Sequence, residues 1–320
     1  MSHEVESMFY CGEKPWHKLG EEVAEAQTSA DAIRLAKLDW EVIQTPVFTY
    51  HVPKGEQQSL ESKNTMRTIS NMMVNVRQTD GKILGVVSDR YKVVQNKDAF
   101  AFTDELMGAN VRYETAGSLY EGRKIWLMAK LDDYKILDDN IQPYLVFTNS
   151  HDGTSAVRVI ITPIRVVCQN TLNLALANAS RSWSAVHLGN ISKKITDARD
   201  TLELTDHYLN LLKAEAEKLN KMKVSDEQFD KIVEHLIPLP PVHPEKAEAK
   251  RRHLLLTWKS DNLANFKNTG WAAVNSVSDF ATHYRLQVPK ESQKERLFNN
   301  VLDGHELIDA TYAWIKRLAS

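Results

Sequence analysis

The chain is poor in the residues that staple a fold or span a membrane. Its 320 residues include two cysteines, Cys11 and Cys168, far apart and unaccompanied. They form neither a disulfide framework nor a cysteine-based zinc site, and they suit a reducing cytoplasm. No run of about 18 apolar residues occurs, so no spanning helix is expected. The start, Ser2-His3-Glu4-Val5-Glu6, has no basic segment followed by an apolar one and does not read as a secretory signal. A phosphate-cradling P-loop, a dinucleotide glycine fingerprint and a His-Glu-x-x-His pair are all missing, so no ATP site and no cofactor are expected. Hydrophobic content of 42% and charged content of 26% are ordinary for a folded globular chain. The length allows one large or two ordinary domains. A net charge of −2 excludes a uniformly basic nucleic-acid binder, so any cationic site has to be local.

One absence is local. From Gly153 to Lys194 there is no Asp or Glu, while the same stretch holds Arg158, Arg165, Arg181, Lys193 and Lys194. Such a segment can present cations to a polyanion.

What is present reads as hairpins followed by helices. Ser29 is placed as the cap of a short helix reaching Leu38, and residues 41–52 as a strand. Met66 to Gln78 alternates, with Met66, Thr68, Ser70, Met72, Val74 and Val76 on one face. Thr79-Asp80-Gly81-Lys82 follows as a tight turn with positive φ at both central residues, and Ile83 to Val94 returns. Asn96 caps a helix through Met107. Residues 110–131 form a second hairpin around Glu121-Gly122. In its returning strand Ile125, Leu127 and Ala129 point to a core, while Lys124, Trp126, Met128 and Lys130 share the other face. That face can pair phosphates and stack a base, or Trp126 can pack inward while the lysines snorkel. Further strands are expected at 144–149 and 155–167, the latter one strand or a bent pair broken at Pro163. A short helix over 171–178 and a strand from Trp183 to His187 follow.

Beyond Gly189 the pattern turns helical. Ile195, Ala198, Leu202, Thr205, Leu209, Leu212, Ala216 and Leu219 recur at spacings of three and four, a seam that packs on the chain's own sheet or on a second subunit. Helices are also expected over 226–236, over 245–258, after Gly270 and after Asp303, with a stiff proline-rich connection from Ile237 to Pro244.

The most enzyme-like cluster is His151-Asp152 beside Asn149. It is half of a metal site at most, because working sites need three or four ligands. The simpler reading is a turn at Asp152-Gly153. Cys168 reads as an inert cysteine at a strand end.

Pro15-Trp16-His17-x-Leu19-Gly20, Tyr113-Glu114-Thr115-Ala116-Gly117, Thr148-Asn149-Ser150-His151-Asp152-Gly153, the run from Thr162 to Thr171 and Gly270-Trp271-Ala272-Ala273-Val274-Asn275 together resemble the phage- and plasmid-encoded family called domain of unknown function 932. The resemblance implies the cytoplasm of a bacterial host and assigns no catalytic residues. At the level of element order the chain is also similar to the single-strand annealing recombinases of phages, which work without ATP, assemble into rings or filaments and hold single-stranded DNA in a basic groove.

These readings combine into an α+β protein: a curved antiparallel sheet of hairpins flanked by helices over residues 1–189, and a helical region over 190–320. The expected function is a single-stranded DNA-binding protein that anneals strands as a homo-oligomer, non-catalytic, without a membrane, with a host or phage replication protein as a further candidate partner. Arg158, Arg165, Arg181, Lys124 and Lys130 are assigned to phosphates and Trp126 and Trp183 to bases. Ile195, Leu202, Leu209 and Leu212 are assigned to subunit contact. The alternatives are a metal-dependent hydrolase or nuclease using His151 and Asp152, and a protein-binding factor that counters a host defence complex.

Overall fold

The computed structural model describes residues 5–11, 20–50, 66–107, 112–165, 170–171, 182–190, 193, 203–284 and 305–318. The expected helix over 171–178, the Pro15-Trp16-His17 motif, Cys168, Arg181, Ile195 and Leu202 lie outside these residues.

The fold is α+β, with two open sheets and with helices concentrated toward the C-terminus. The larger sheet has nine strands: β1 (Val5–Cys11), β2 (Glu21–Val23), β6 (Arg112–Leu119), β7 (Lys124–Lys130), β8 (Tyr134–Ile136), β9 (Asp139–Ser150), β10 (Val157–Arg165), β11 (Asn170–Thr171) and β12 (Ser182–Ala185). Its main path runs β11-β10-β9-β7-β6-β1-β2. β12 adds to β10 and β8 to β9. All pairs are antiparallel except β1 with β2.

At Pro163 the structure has the single strand and not the bent pair. β10 runs through it in unbroken register, with Pro163 opposite Pro143. Each proline falls where its strand changes neighbours. β12 covers β10 up to Ile160 and β11 resumes at Ile164. β8 covers β9 up to Ile141 and β7 takes over from Tyr144. A missing N–H costs nothing where no neighbour waits to accept it.

The second sheet is separate and small: β3 (Val42–Tyr50), β4 (Met66–Arg77) and β5 (Ile83–Ser88), with β4 central. Its hairpin turn is longer than a two-residue one: the Arg77 N–H bonds the Lys82 carbonyl, and only Gly81 has positive φ. The face of β4 that carries Met72, Val74 and Val76 is its outer one. Val74 and Val76 are half-exposed and Met72 is exposed, whereas Asn75 and Arg77 are buried. Both polar side chains are fully used. Gln44 Nε2 donates to Asn75 Oδ1 at 3.1 Å, and Asn75 Nδ2 donates to the His151 carbonyl at 2.6 Å. The Arg77 guanidinium donates to both Glu6 oxygens at 2.8 and 2.7 Å and to Asp80 at 2.9 and 2.8 Å, and lies over Trp40. Burial is tolerable for such groups once every donor has an acceptor.

The first core lies between the two sheets, α1 (Ser29–Leu35) and α2 (Asn96–Met107). It gathers Phe9, Ile125, Leu127, Phe147, Val157, Val159 and Ile161 from the large sheet with Ala32, Leu84 and Phe100. α1 is capped by Thr28, whose hydroxyl accepts from the Asp31 N–H, not by Ser29. α2 spans the expected residues, but Asn96 spends its side chain elsewhere, as described below.

The second core is helical: α3 (Glu203–Lys221), α4 (Asp226–Leu236), α5 (Glu245–Trp258), a 3-10 turn (Asp261–Phe266), α6 (Gly270–His283) and α7 (Glu306–Leu318). A capping box between Ser225 and Gln228 starts α4, and Thr269 caps α6. Residues 270–278 of α6 are buried on every side, which makes it the central element. Ile136 and Ile141, from the β8–β9 hairpin, belong to this helical core, so the helices seat on one end of the large sheet. Among the described residues no helix is long and apolar enough to cross a membrane.

Candidate nucleic-acid interface

Strand alternation places Lys124, Trp126, Met128 and Lys130 on the face of the large sheet opposite the first core. Trp126 pairs with Thr148, Thr148 with Arg158, and Arg158 with Ser184. One cross-strand row therefore reads Trp126, Thr148, Arg158, Ser184. Trp126 and Arg158 stand two strands apart, roughly 10 Å. Lys124, opposite Ser150, borders this row, and its ammonium lies 5.4 Å from the Tyr120 ring centre.

The indole of Trp126 is held by Gly117. A Cβ at Gly117 would stand 2.5 Å from Trp126 Cη2 and 2.4 Å from the Ser7 carbonyl oxygen, so only glycine lets the ring lie there. Trp126 is 7% exposed.

The middle of this face is apolar. Met128, Val146 and Ile160 form a small cluster, with Val146 and Ile160 buried. Beyond it Lys130 sits opposite Tyr144 and ion-pairs with Asp133 at 3.3 Å. The polar path therefore crosses the strands along the Trp126–Arg158 row and does not follow a strand.

Among the described residues, the other assigned tryptophan and the α3 leucines do not join it. Position 165 pairs with Ile141 and Asn170 at the other end of β10 from Arg158, and its side chain lies outside what is described. Trp183 pairs with Val159 and packs against the first core, on the other side of the sheet from Trp126. The side taken by Trp183 follows from its register with Val159. Leu209 and Leu212 of α3 are buried in the chain's own helical core, so that part of the seam is consumed internally.

A second polar cluster, of which the sequence pointed to His151 and Asn149, lies where the small sheet meets the large one. The segment between β5 and α2 is tied down along its length. Tyr91 Oη donates to the Ser150 carbonyl at 2.5 Å, and Asn149 Nδ2 donates to the Val94 carbonyl at 3.1 Å. His187 Nδ1 meets the Lys92 carbonyl at 2.9 Å, and His151 Nε2 meets Asn96 Oδ1 at 3.0 Å. A carbonyl only accepts, so His187 carries its proton on Nδ1. Asn96 Nδ2 donates to the Leu38 carbonyl, so its Oδ1 faces His151, whose proton is on Nε2. Each imidazole is thus locked as a neutral tautomer. Burial, then the neighbouring His187, push His151 down to about 3, and burial lowers His187 as well.

His151 is fully buried, with its ring edge-on to Trp40. Asp152 Oδ1 accepts from the Thr154 N–H and hydroxyl and closes the β9–β10 turn. The two side chains serve different structural roles, and among the described residues no group of three His, Cys, Asp or Glu could hold a metal ion. Beside them lies a surface hollow of about 340 Å³, lined by Tyr91, residues 153–156 and residues 186–188.

Fold and site together define a mixed α+β protein whose large antiparallel sheet carries a cationic-aromatic row on the face away from its core. The chain belongs to the family described as Domain of unknown function (DUF932), whose match covers residues 83–302. That span holds four of the five motifs and every strand of the candidate row. No curated protein and no solved structure matches the chain.

Proposed function

We propose that this is a phage- or plasmid-encoded protein that binds single-stranded DNA in the cytoplasm of a bacterial host and anneals complementary strands without ATP, as a homo-oligomer. The observation that carries the reading is the row Trp126–Thr148–Arg158–Ser184 with Lys124 beside it: a guanidinium, an ammonium and hydroxyls across adjacent strands, next to a buried indole. Cations and hydroxyls that follow a phosphate backbone supply the sequence-independent part of nucleic-acid binding. The burial of Val146 and Ile160 restricts the contact to a few nucleotides per subunit, which favours several subunits along one strand.

Fluorescence polarization with a labelled oligonucleotide tests this. Affinity should fall by about 0.7 log units per log unit of salt for each phosphate neutralised. The Lys124→Gln/Arg158→Gln double variant should reduce that slope by about 1.4, two phosphates' worth. Absence of binding by the wild-type chain at low salt removes the proposal. The hydrolase reading has no comparable support, because a substrate could reach His151 only after the first core opens.

A further inference from the structure

We propose that the hollow beside His187 is a pocket for one nucleobase of a strand whose phosphates are held at Lys124 and Arg158. The inference rests on the DNA-binding reading above and specifies where a base is taken. With the Trp126 indole buried, the row itself offers a base little surface.

The hollow is lined by tied-down backbone. His187 and Lys92 hold each other twice: the Lys92 N–H donates to the His187 carbonyl at 2.8 Å, and His187 Nδ1 donates to the Lys92 carbonyl at 2.9 Å. A γ-turn is centred on His187, with the Leu188 N–H on the Val186 carbonyl at 2.7 Å. The imidazole stacks on Tyr91, ring centres 4.4 Å apart and 12° from parallel. In the turn after β9, the Ser150 hydroxyl donates to the Ser155 carbonyl and accepts from the Ser155 N–H. A site formed before its ligand arrives loses little to ordering on binding.

The lining selects the chemistry of the occupant. Val186, 56% exposed, and Leu188, 45% exposed, make an apolar rim with Ala156, and Thr154 and Ser155 add hydroxyls. His187, 5% exposed, lies at the bottom. Its Nε2 is buried and has no hydrogen-bond partner, and with the proton on Nδ1 it can only accept. In the same seam Asn149 Oδ1 and His151 Nδ1 are also buried acceptors without a donor. Such an acceptor weakens the fold until a donor reaches it. The occupant therefore brings an N–H donor on an apolar body, since a phosphate or carboxylate would set lone pairs against lone pairs. A metal ion needs three or four ligands, and among the described residues no group of three His, Cys, Asp or Glu could hold one.

Size and position narrow the class to a base. About 340 Å³ is at the small end of ligand sites, room for one ring system and not for a peptide segment. A nucleobase is a flat ring with N–H donors on its edge. Its phosphate has a holder close by. Ala156 is two residues from Arg158, roughly 7 Å along the chain, and Val186 is two residues from Ser184, which pairs with Arg158. Exposure alternates from Ser184 to Leu188, so Val186 and Leu188 continue the Ser184 side of β12. The rim of the hollow thus extends the cationic row past the ends of β10 and β12. One base held per subunit leaves the others free to pair with a complementary strand.

Fluorescence polarization tests the inference with a labelled oligonucleotide of mixed sequence and an abasic strand of the same length, which keeps the phosphates and lacks the bases. Ala156→Leu fills the hollow and Leu188→Ala removes part of its rim. Both positions are at least half-exposed, and thermal melts verify the fold. The wild type should bind the base-bearing strand about tenfold more tightly than the abasic one. Each variant should lose most of that ratio with its salt slope unchanged, because no phosphate contact is touched. The Lys124→Gln/Arg158→Gln variant should lower the slope and keep the ratio. A wild type that binds both strands equally, or a ratio that survives in both hollow variants, overturns the inference and leaves the DNA reading standing. The four deoxynucleosides, followed by saturation-transfer NMR, separate the two claims. A wild type that binds no oligonucleotide, yet contacts a deoxynucleoside that Ala156→Leu releases, removes the DNA reading and keeps the pocket. A wild type that binds neither strand nor any deoxynucleoside removes both.

Discussion

The two sheets are built from the same kinds of residue and use them in opposite ways. In the nine-stranded sheet Ile125, Leu127, Phe147, Val159 and Ile161 face a shared core, and even the far side buries Val146 and Ile160. In the three-stranded sheet Ile83 and Val86 face outward, while Asn75 and Arg77 face inward and form the ties to its neighbour. An aliphatic side chain in a strand therefore identifies no core by itself. What matters is which side another layer covers, and in the small sheet the covered side is held by hydrogen bonds and an ion pair.

The contrast can be broken in order of expected effect. Ile160→Ala, in the large sheet, should cost about 2–5 kcal/mol of stability, read from urea midpoints. Glu6→Gln cuts one tie between the sheets. It removes a carboxylate from the buried Arg77 while Asp80 stays on the same guanidinium, so a loss of about 2–3 kcal/mol is expected, toward the low end for breaking a buried pair. A loss below half of that would show that the tie contributes little.

The other tie contains His151, and it makes the seam acid-sensitive. The folded state holds this imidazole neutral down to about 3, against 6.5 for the free side chain. As pH falls below 6.5 the unfolded chain takes up a proton that the folded chain refuses. Stability from this group is therefore complete above that value and declines toward pH 3, by at most about 1.4 kcal/mol per pH unit. His187 shifts the same way. His151→Gln should flatten the dependence of the urea midpoint on pH in that window, and an unchanged slope would assign the sensitivity elsewhere. The smallest effect sharpens the comparison from the other side: Ile83→Ala in the small sheet should change monomer stability by no more than about 0.5 kcal/mol.

Much of the local structure was legible. The Asp80-Gly81 hairpin, the helix over 96–107, the alternation in β7 and the helices at 226–236 and 245–258 all follow from turn chemistry and periodicity, which act over a few residues. Part of the candidate interface was legible in the same way. Lys124, Trp126 and Lys130 share a face because they are two residues apart, and Arg158 joins them by register. Other assignments failed for a non-local reason. Trp183 and Arg158 both lie in the acid-free stretch, but pairing β12 with β10 sends the tryptophan to the core side. Asn96 looked like a helix cap, yet its amide is taken by His151 and by the Leu38 carbonyl, from residues 55 and 58 positions away.

The sequence by itself determined the α+β class, the order of hairpins and helices, and the membership of its motifs in one family, because each is written in spacings of two to four residues or in short contiguous runs. Only the tertiary structure decided that the strands divide between two sheets, which face of β4 is inward, and that Leu209, Leu212, Ala216 and Leu219 join the chain's own helical core while Ile83 and Val86 are exposed. Those outcomes depend on which distant strands pair and in what register. A one-residue change of register exchanges every side chain between core and solvent, and no local pattern records it.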